Sequence, residues 1–170
     1  MLQRKDRISQ MHIATKSSRI NISEERRTKD LAEIFSKNIQ IGDIFFLNGE
    51  LGVGKTTFIK YLINFLQKNN NKSITEIPSP TFNLINEYQI NSFIIKHYDL
   101  YRINDAKELN NLGIFESIAN QITFIEWPKI INNYKLKNTI DVFFEYDENY
   151  NNRFITVSSN KNINFLNEFK

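Results

Sequence analysis

The 170-residue chain has no cysteine, only two histidines, three prolines and one tryptophan. Without cysteine there are no disulfides, thiolate zinc sites or cysteine nucleophiles, which fits a reducing, cytoplasmic setting. No apolar run approaches the roughly 18 residues of a membrane span, so no membrane association is expected. The formal charge of +3 is a small excess. Solvated charged faces produce that much, so it argues weakly for nucleic acid. Glycine is scarce too, with five in the chain. Three of the five, Gly49, Gly52 and Gly54, fall within six positions. The length suggests one domain, and a domain of about 150 residues buries roughly 68–70% of its unfolded surface without staples.

The first twenty residues, "MLQRKDRISQMHIATKSSRI", are basic, with Asp6 the only acid. They have no long apolar centre and are not a secretory signal. An organellar transit peptide, a disordered extension and a start at Met11 all fit. The loose definition of transit composition favours the last two.

Downstream, Ser23 is placed to cap a helix, with Glu24 and Glu25 at its positive end. Leu31, Ile34 and Phe35 form that helix's apolar stripe, and Gly42 ends the unit. "DIFFLN" reads as a buried parallel strand. After the glycines, Phe58, Ile59, Leu62, Ile63 and Leu66 recur at helical spacing. "IPSPTFNLINEYQI" reads as a loop whose alternation at Phe82 and Leu84 leads into a strand, and "SFIIKHYDL" as another strand. "DAKELNNLG" is a short helix stopped at Gly113. "QITFIEW" is a buried strand ending in an acid. "TIDVFFEYD" and "RFITVSS" form an antiparallel hairpin, and "INFLNEF" a final short helix. The expected fold is an α/β three-layer sandwich of the P-loop type, mostly parallel with an antiparallel edge hairpin.

The crowded glycines belong to Gly49–Thr56, which matches G-x-x-x-x-G-K-[ST], the P-loop pattern. Chance produces such a match on the order of once in a few hundred chains this long. The flanking strand and helix are the context that confirms it. The chemistry requires these residue types. Glycine lets backbone N–H groups turn inward and approach phosphate closely. The helix from Lys55 points its positive end at the anion. Lys55 supplies a mobile charge for the β- and γ-phosphates, and Thr56 a hydroxyl for Mg²⁺. A guanine-reading N-K-x-D motif is missing, since the nearest match, "NKSI" at 71–74, ends in Ile. ATP is the default nucleotide.

Mg²⁺–phosphate chemistry also needs carboxylates at the ends of neighbouring strands. Asp99 and Glu126 meet that requirement, and either could hold Mg²⁺ through water or orient an attacking water. His97 shares a strand face with Asp99 by period two, so it is placed to support that acid. Trp127 follows Glu126 directly, where it fits a core position or a shield beside the nucleotide.

"LNGELGVGKTTF", "SPTFNLINEY", "HYDLYRI", "ELNNLGIFE" and "FIEWP" occur in this order and spacing. The set closely resembles TsaE (also called YjeE), the bacterial ATPase family of tRNA threonylcarbamoyladenosine biosynthesis. The likeness runs from about Ile20 to about Ser158. It implies a small P-loop ATPase that hydrolyses Mg-ATP poorly alone and supports multiple turnover of a TsaD–TsaB complex. That complex, not TsaE, transfers the threonylcarbamoyl group to the adenosine beside the anticodon. By position the resemblance assigns phosphate binding to Gly49–Thr57, that is Gly49, Glu50, Leu51, Gly52, Val53, Gly54, Lys55, Thr56 and Thr57. Thr56 and Glu126 are its Mg²⁺-linked residues, and Asp99 its aspartate needed for activity. Ser79, Pro80 and Thr81 lie in its switch-like loop. Ile22 and Ser23 would lie near the adenine and Trp127 beside the nucleotide. Two departures stand out. Val53 replaces the usual Ala, with its side chain expected to point away from phosphate. "SPTFNL" replaces "SPTYTL", which removes two hydroxyls but keeps Thr81.

The expected organisation is therefore a flexible basic extension over 1–20 and one P-loop ATPase domain over 21–170. Two other classes remain open. A small-molecule kinase would carry an arginine-bearing lid, whereas Arg102 and Arg153 are the only arginines after the P-loop and do not cluster. A nucleotide-gated binding module would need no hydrolysis. Basic residues are scattered without an aromatic stacking surface, so contact with tRNA is expected to run through the protein partner.

Overall fold

The computed structural model describes residues 15–131, 134 and 136–169. A start at Met11 and most of the 1–20 segment lie outside the described residues. Eight strands among them form one mixed sheet. They are β1 (Thr15–Lys16), β2 (Ile20–Asn21), β3 (Ile44–Asn48), β4 (Ile85–Ile90), β5 (Phe93–Asp99), β6 (Gln121–Glu126), β7 (Thr139–Tyr146) and β8 (Arg153–Ser159). The spatial order is β1-β8-β7-β3-β6-β5-β4, with β2 also on β8. Thus the described part of the N-terminal segment, from Thr15, adds short strands to β8.

The middle four strands, β7-β3-β6-β5, run parallel. β3 and β6 are buried along almost their whole length, which is why they read as unbroken apolar runs. The expected β7–β8 hairpin closes one side. A second hairpin, not foreseen from the sequence, closes the other, with β4 antiparallel to β5. Its two-residue turn places Asn91 at φ 47, a dihedral Asn tolerates better than most residues.

Helices α1 (Glu25–Asn38) and α2 (Lys55–Asn69) cover one face. Phe35 of α1 meets Phe45, Phe58 and Phe165 edge-on, at centroid distances of 5.9, 5.4 and 5.5 Å. Such pairs add about 0.5–1.5 kcal/mol beyond their buried area. The other face packs Ile44, Phe46, Tyr98 and Ile125 against α3 (Ala106–Asn111) and its flanking loops, giving three layers. Asp105 caps α3 through Lys107 N–H and shares a capping box with Glu108, a local signal of helix start.

Three sequence readings need correction. Glu24, not Ser23, is the N-cap of α1, and its side chain makes no capping hydrogen bond. The Ser23 hydroxyl is taken by β8: it accepts from Arg153 N–H at 3.0 Å and donates to Asn152 Oδ1 at 3.3 Å. Phe82 and Leu84 do not belong to a strand. Leu84 N–H donates to Pro80 O and Leu84 adopts φ 65, so the chain turns there and β4 begins one residue later. The final "INFLNEF" segment forms a 3₁₀ turn (Asn164–Glu168) rather than an α-helix.

Candidate active site

β3 ends at Asn48 and the chain enters the glycine loop at once. At Gly49 (φ 141) a Cβ would lie 2.5 Å from the carbonyl oxygen of Phe144 on β7, so only glycine fits. Gly54 (φ 114) caps α2 with open space around it; here the dihedral alone favours glycine. Val53 is buried in the core under the loop, so its side chain does point away from the crest. Leu51 and Gly52 are exposed at that crest.

A cavity of about 210 Å³ opens at the carboxyl ends of β3, β5 and β6. Its wall brings together Lys55, Thr56, Thr81, Asp99, Glu126 and Trp127, with Leu51, Gly52, Gly54, Thr57 and Ser79 completing it. Glu50 lines a neighbouring cavity. Pro80 is buried behind the loop. Ser23 lies outside the wall, although Ile22 beside it lines a small cavity with Val53, Gly54 and Thr57.

The carboxylates are there because of register. Ile95, His97 and Asp99 share the α2 face of β5, and Ile122, Phe124 and Glu126 share that face of β6. Parallel pairing sets Asp99 beside Glu126. Glu126, 3% exposed, accepts the Thr56 hydroxyl at 2.8 Å on Oε1 and 3.0 Å on Oε2. His97 Nε2–H donates to the same Oε1 at 2.9 Å. His97 therefore supports Glu126 directly, not Asp99 as its strand face suggested. Its Nδ1 is buried without a hydrogen-bond partner among the described residues, and the carboxylate assigns the proton to Nε2.

A second line of hydrogen bonds reaches Asp99. Its Oδ2 accepts from Thr81 Oγ1 at 2.8 Å and its Oδ1 from Tyr101 N–H at 3.0 Å. The Thr81 proton is thereby committed, so Ser79 Oγ, 2.7 Å away, is the donor in that contact. Lys55 Nζ donates to the carbonyls of Gly49 (2.9 Å) and Glu50 (2.8 Å) and sits 3.9 Å over the Trp127 ring. Burial pushes the Lys55 pKa down, against the opposing pull of Glu126 and Asp99. Trp127 is held at φ 57 and packs on Tyr101 at 4.8 Å. The arrangement thus presents one ammonium, two carboxylates and the hydroxyls of Thr56 and Thr81 around one cavity. Helix N–H groups stand at its edge.

A family model described as threonylcarbamoyl adenosine biosynthesis protein TsaE matches residues 22–155. The chain belongs to the TsaE family. A TsaE from Rickettsia typhi is 38% identical over 149 residues, covering 87% of this chain and 97% of that one. A TsaE from Haemophilus influenzae is 31% identical over 143 residues, covering 83% and 87%. Both are named tRNA threonylcarbamoyladenosine biosynthesis proteins. The crystal structure of Bacillus subtilis YdiB has the same fold, with TM-score 0.69 at 22% identity over 93% of this chain and 96% of its own. TsaE is a nucleotide-binding P-loop family of the tRNA threonylcarbamoyladenosine pathway. Among the described residues of this TsaE chain, no helix is long and apolar enough to cross a membrane.

Sequence reasoning missed the bond between His97 and Glu126, the bond between Thr81 and Asp99, and the packing of Tyr101 on Trp127. Period two did put His97 and Asp99 on one face. What it lacked was the identity of the neighbouring strand.

Proposed function

We propose that this TsaE chain binds Mg-ATP at the P-loop, hydrolyses it slowly, and so supports multiple turnover of a TsaD–TsaB complex that modifies tRNA. The supporting observation is that Glu126 grips the Thr56 hydroxyl beside Lys55, with Asp99 on the next strand. The donor set fits Mg²⁺, a hard cation that takes oxygen ligands. No group of three or more potential metal-binding side chains exists among the described residues. That also fits, because Mg²⁺ at phosphate sites uses one or two carboxylates with phosphate and water oxygens.

In this reading Thr56 and Glu126 hold the metal, which when bound neutralises charge on the phosphate oxygens. Backbone N–H groups of the loop and Lys55 hold the phosphates. Asp99 orients the attacking water, and Ser79 and Thr81 tie their loop to that carboxylate. Among the described residues Lys55 is the only cation in the cavity wall, so weak hydrolysis by the chain alone is expected.

The test is ATP hydrolysis by the purified chain, with and without TsaD–TsaB, beside Lys55→Ala. Stimulation by the complex that is lost in the variant is the expected result. Phosphate delivered to a small molecule instead of water would turn the reading to a kinase. Full multiple turnover supported by an Asp99→Ala variant that still binds ATP would turn it to a nucleotide-gated binding module.

A further inference from the structure

A larger cavity, about 600 Å³, lies on the other side of the glycine loop. Glu50, Trp127, Tyr146, Asp147, Glu148 and Tyr150 line it. It shares Trp127 with the P-loop cavity, and Glu50, another of its lining residues, accepts from Lys55 through its carbonyl. Whatever fills it therefore touches residues that hold the nucleotide-site lysine.

The lining has a consistent chemistry. Tyr146 and Tyr150 stack at 5.1 Å, and Tyr150 stays 64% exposed. Its position is prepared: Asp147 accepts from the N–H groups of Asn151 and Asn152 and from the Asn152 side chain, closing the turn that carries Tyr150 at φ 57. The rim is acidic although the chain as a whole is net positive. Four carboxylates, Glu50, Glu145, Asp147 and Glu148, line the cavity. Among the described residues three cations adjoin them: Arg19 pairs with Glu145 at 2.6 Å, Arg153 lies 5.7 Å over Tyr146, and the Lys55 ammonium meets the Glu50 carbonyl and the Trp127 ring. A negative excess remains, together with an open tyrosine face. Guanidiniums already stack on rings here, Arg153 on Tyr146 and Arg19 on Phe154 at 3.6 Å.

We propose that this cavity docks an arginine- or lysine-bearing segment of a partner protein, seated between Tyr150 and the carboxylates of Glu50 and Glu148. Complementary charge and an aromatic anchor are the features that fix register and affinity at such surfaces. The position links partner to nucleotide, since the segment would rest against Trp127 and the Glu50 backbone.

The test rests on the reading that TsaD–TsaB is the partner. The dissociation constant of the full chain for purified TsaD–TsaB is measured with Mg-ATP present, for wild type, Glu148→Arg, Tyr150→Ala and the remote control Asp30→Arg. ATP affinity of each is measured separately by equilibrium dialysis. The expected result is a loss of roughly tenfold in partner affinity for Glu148→Arg and Tyr150→Ala. The control and all ATP affinities should stay unchanged, and salt dependence should be shallower in Glu148→Arg. Wild-type binding with unaltered affinity in both variants overturns the docking site and leaves the ATPase reading standing. Loss of ATP affinity in step with partner affinity overturns it as well, because the cavity would then serve the nucleotide. Tighter partner binding after deletion of residues 1–14 would make the chain's own basic segment the occupant, against the proposal. A wild-type chain that binds no TsaD–TsaB overturns the partner reading and this inference with it.

Discussion

At the scale of single residues, hydrogen-bond partners decide more than residue types do. Glu126 is almost fully buried and its Oε1 carries two donors, Thr56 and His97. Removing a donor from a buried carboxylate costs about 1–3 kcal/mol. His97→Leu should therefore lower stability and hydrolysis together. His97→Gln, which keeps an N–H at similar reach, should recover most of kcat. Steady-state kinetics with thermal melts for both variants check this, and equal kcat loss would refute a positioning role. Asp141 offers a separate case. It is half-buried on β7, without a hydrogen-bond or ion-pair partner among the described residues, and burial raises its pKa above 3.8. A raised carboxylate favours folding fully below the unfolded value, and that contribution is lost as pH rises through the folded value. Asp141→Asn should then stabilise the protein at neutral pH by less than about 1 kcal/mol, since the group stays partly solvated. The gain should vanish below pH 3.8, as urea melts at pH 3 and pH 7 would show. Neither residue's environment was legible in the sequence. Ser23 shows why: a good capping residue by local rules, it spends its hydroxyl 130 positions away.

At the scale of elements, the β3–loop–α2 unit was legible because its signals are local: an apolar run, spaced glycines, then a 3.6-residue period. The loop's two tight glycines differ in what they demand, and the difference is testable. Gly49→Ala adds a methyl 2.5 Å from a backbone oxygen and 2.9 Å from the Phe144 Cβ. Gly54→Ala meets nothing within 4 Å and bears only the cost of its φ. Left-handed strain alone costs roughly 1–2 kcal/mol, whereas a clash against a strand must also displace β7. Gly49→Ala should lose at least twice the stability of Gly54→Ala in denaturant melts; equal losses would mean that β7 yields easily. The β7–β8 hairpin was also legible, from two alternating runs around a polar turn. The β4–β5 hairpin was not. The Phe82–Leu84 alternation imitates a strand, and only the turn from Pro80 to Leu84 moves the true start to Ile85. Strands β1 and β2 are two residues each, below the length at which periodicity carries information.

At the scale of the whole molecule, the site is a meeting of distant segments. The lysine and threonine come from α2, the carboxylates from the ends of β5 and β6, and Thr81 from the loop before β4. These segments lie on one face of the sheet, and the central strands that carry them separate the two hydrophobic cores. A ligand held by all of them would therefore stabilise the fold as a unit rather than one loop. Binding to the native state alone adds about 2.7 kcal/mol at a hundredfold excess over Kd. For a chain of this size each kcal/mol moves Tm by roughly 2–4 °C. Mg-ATP at that excess should thus raise Tm by roughly 5–10 °C. Chelating the metal should remove part of the shift, because the Thr56–Glu126 pair then loses its share of the contacts. Lys55→Ala should remove most of it while leaving the ligand-free melt cooperative. Lys55 bonds two carbonyls within its own loop, so its loss opens the loop without cutting the core beneath. Differential scanning calorimetry at fixed protein concentration distinguishes the cases. A full Mg-ATP shift retained in Lys55→Ala would place the nucleotide away from the glycine loop, however well that loop matches its pattern.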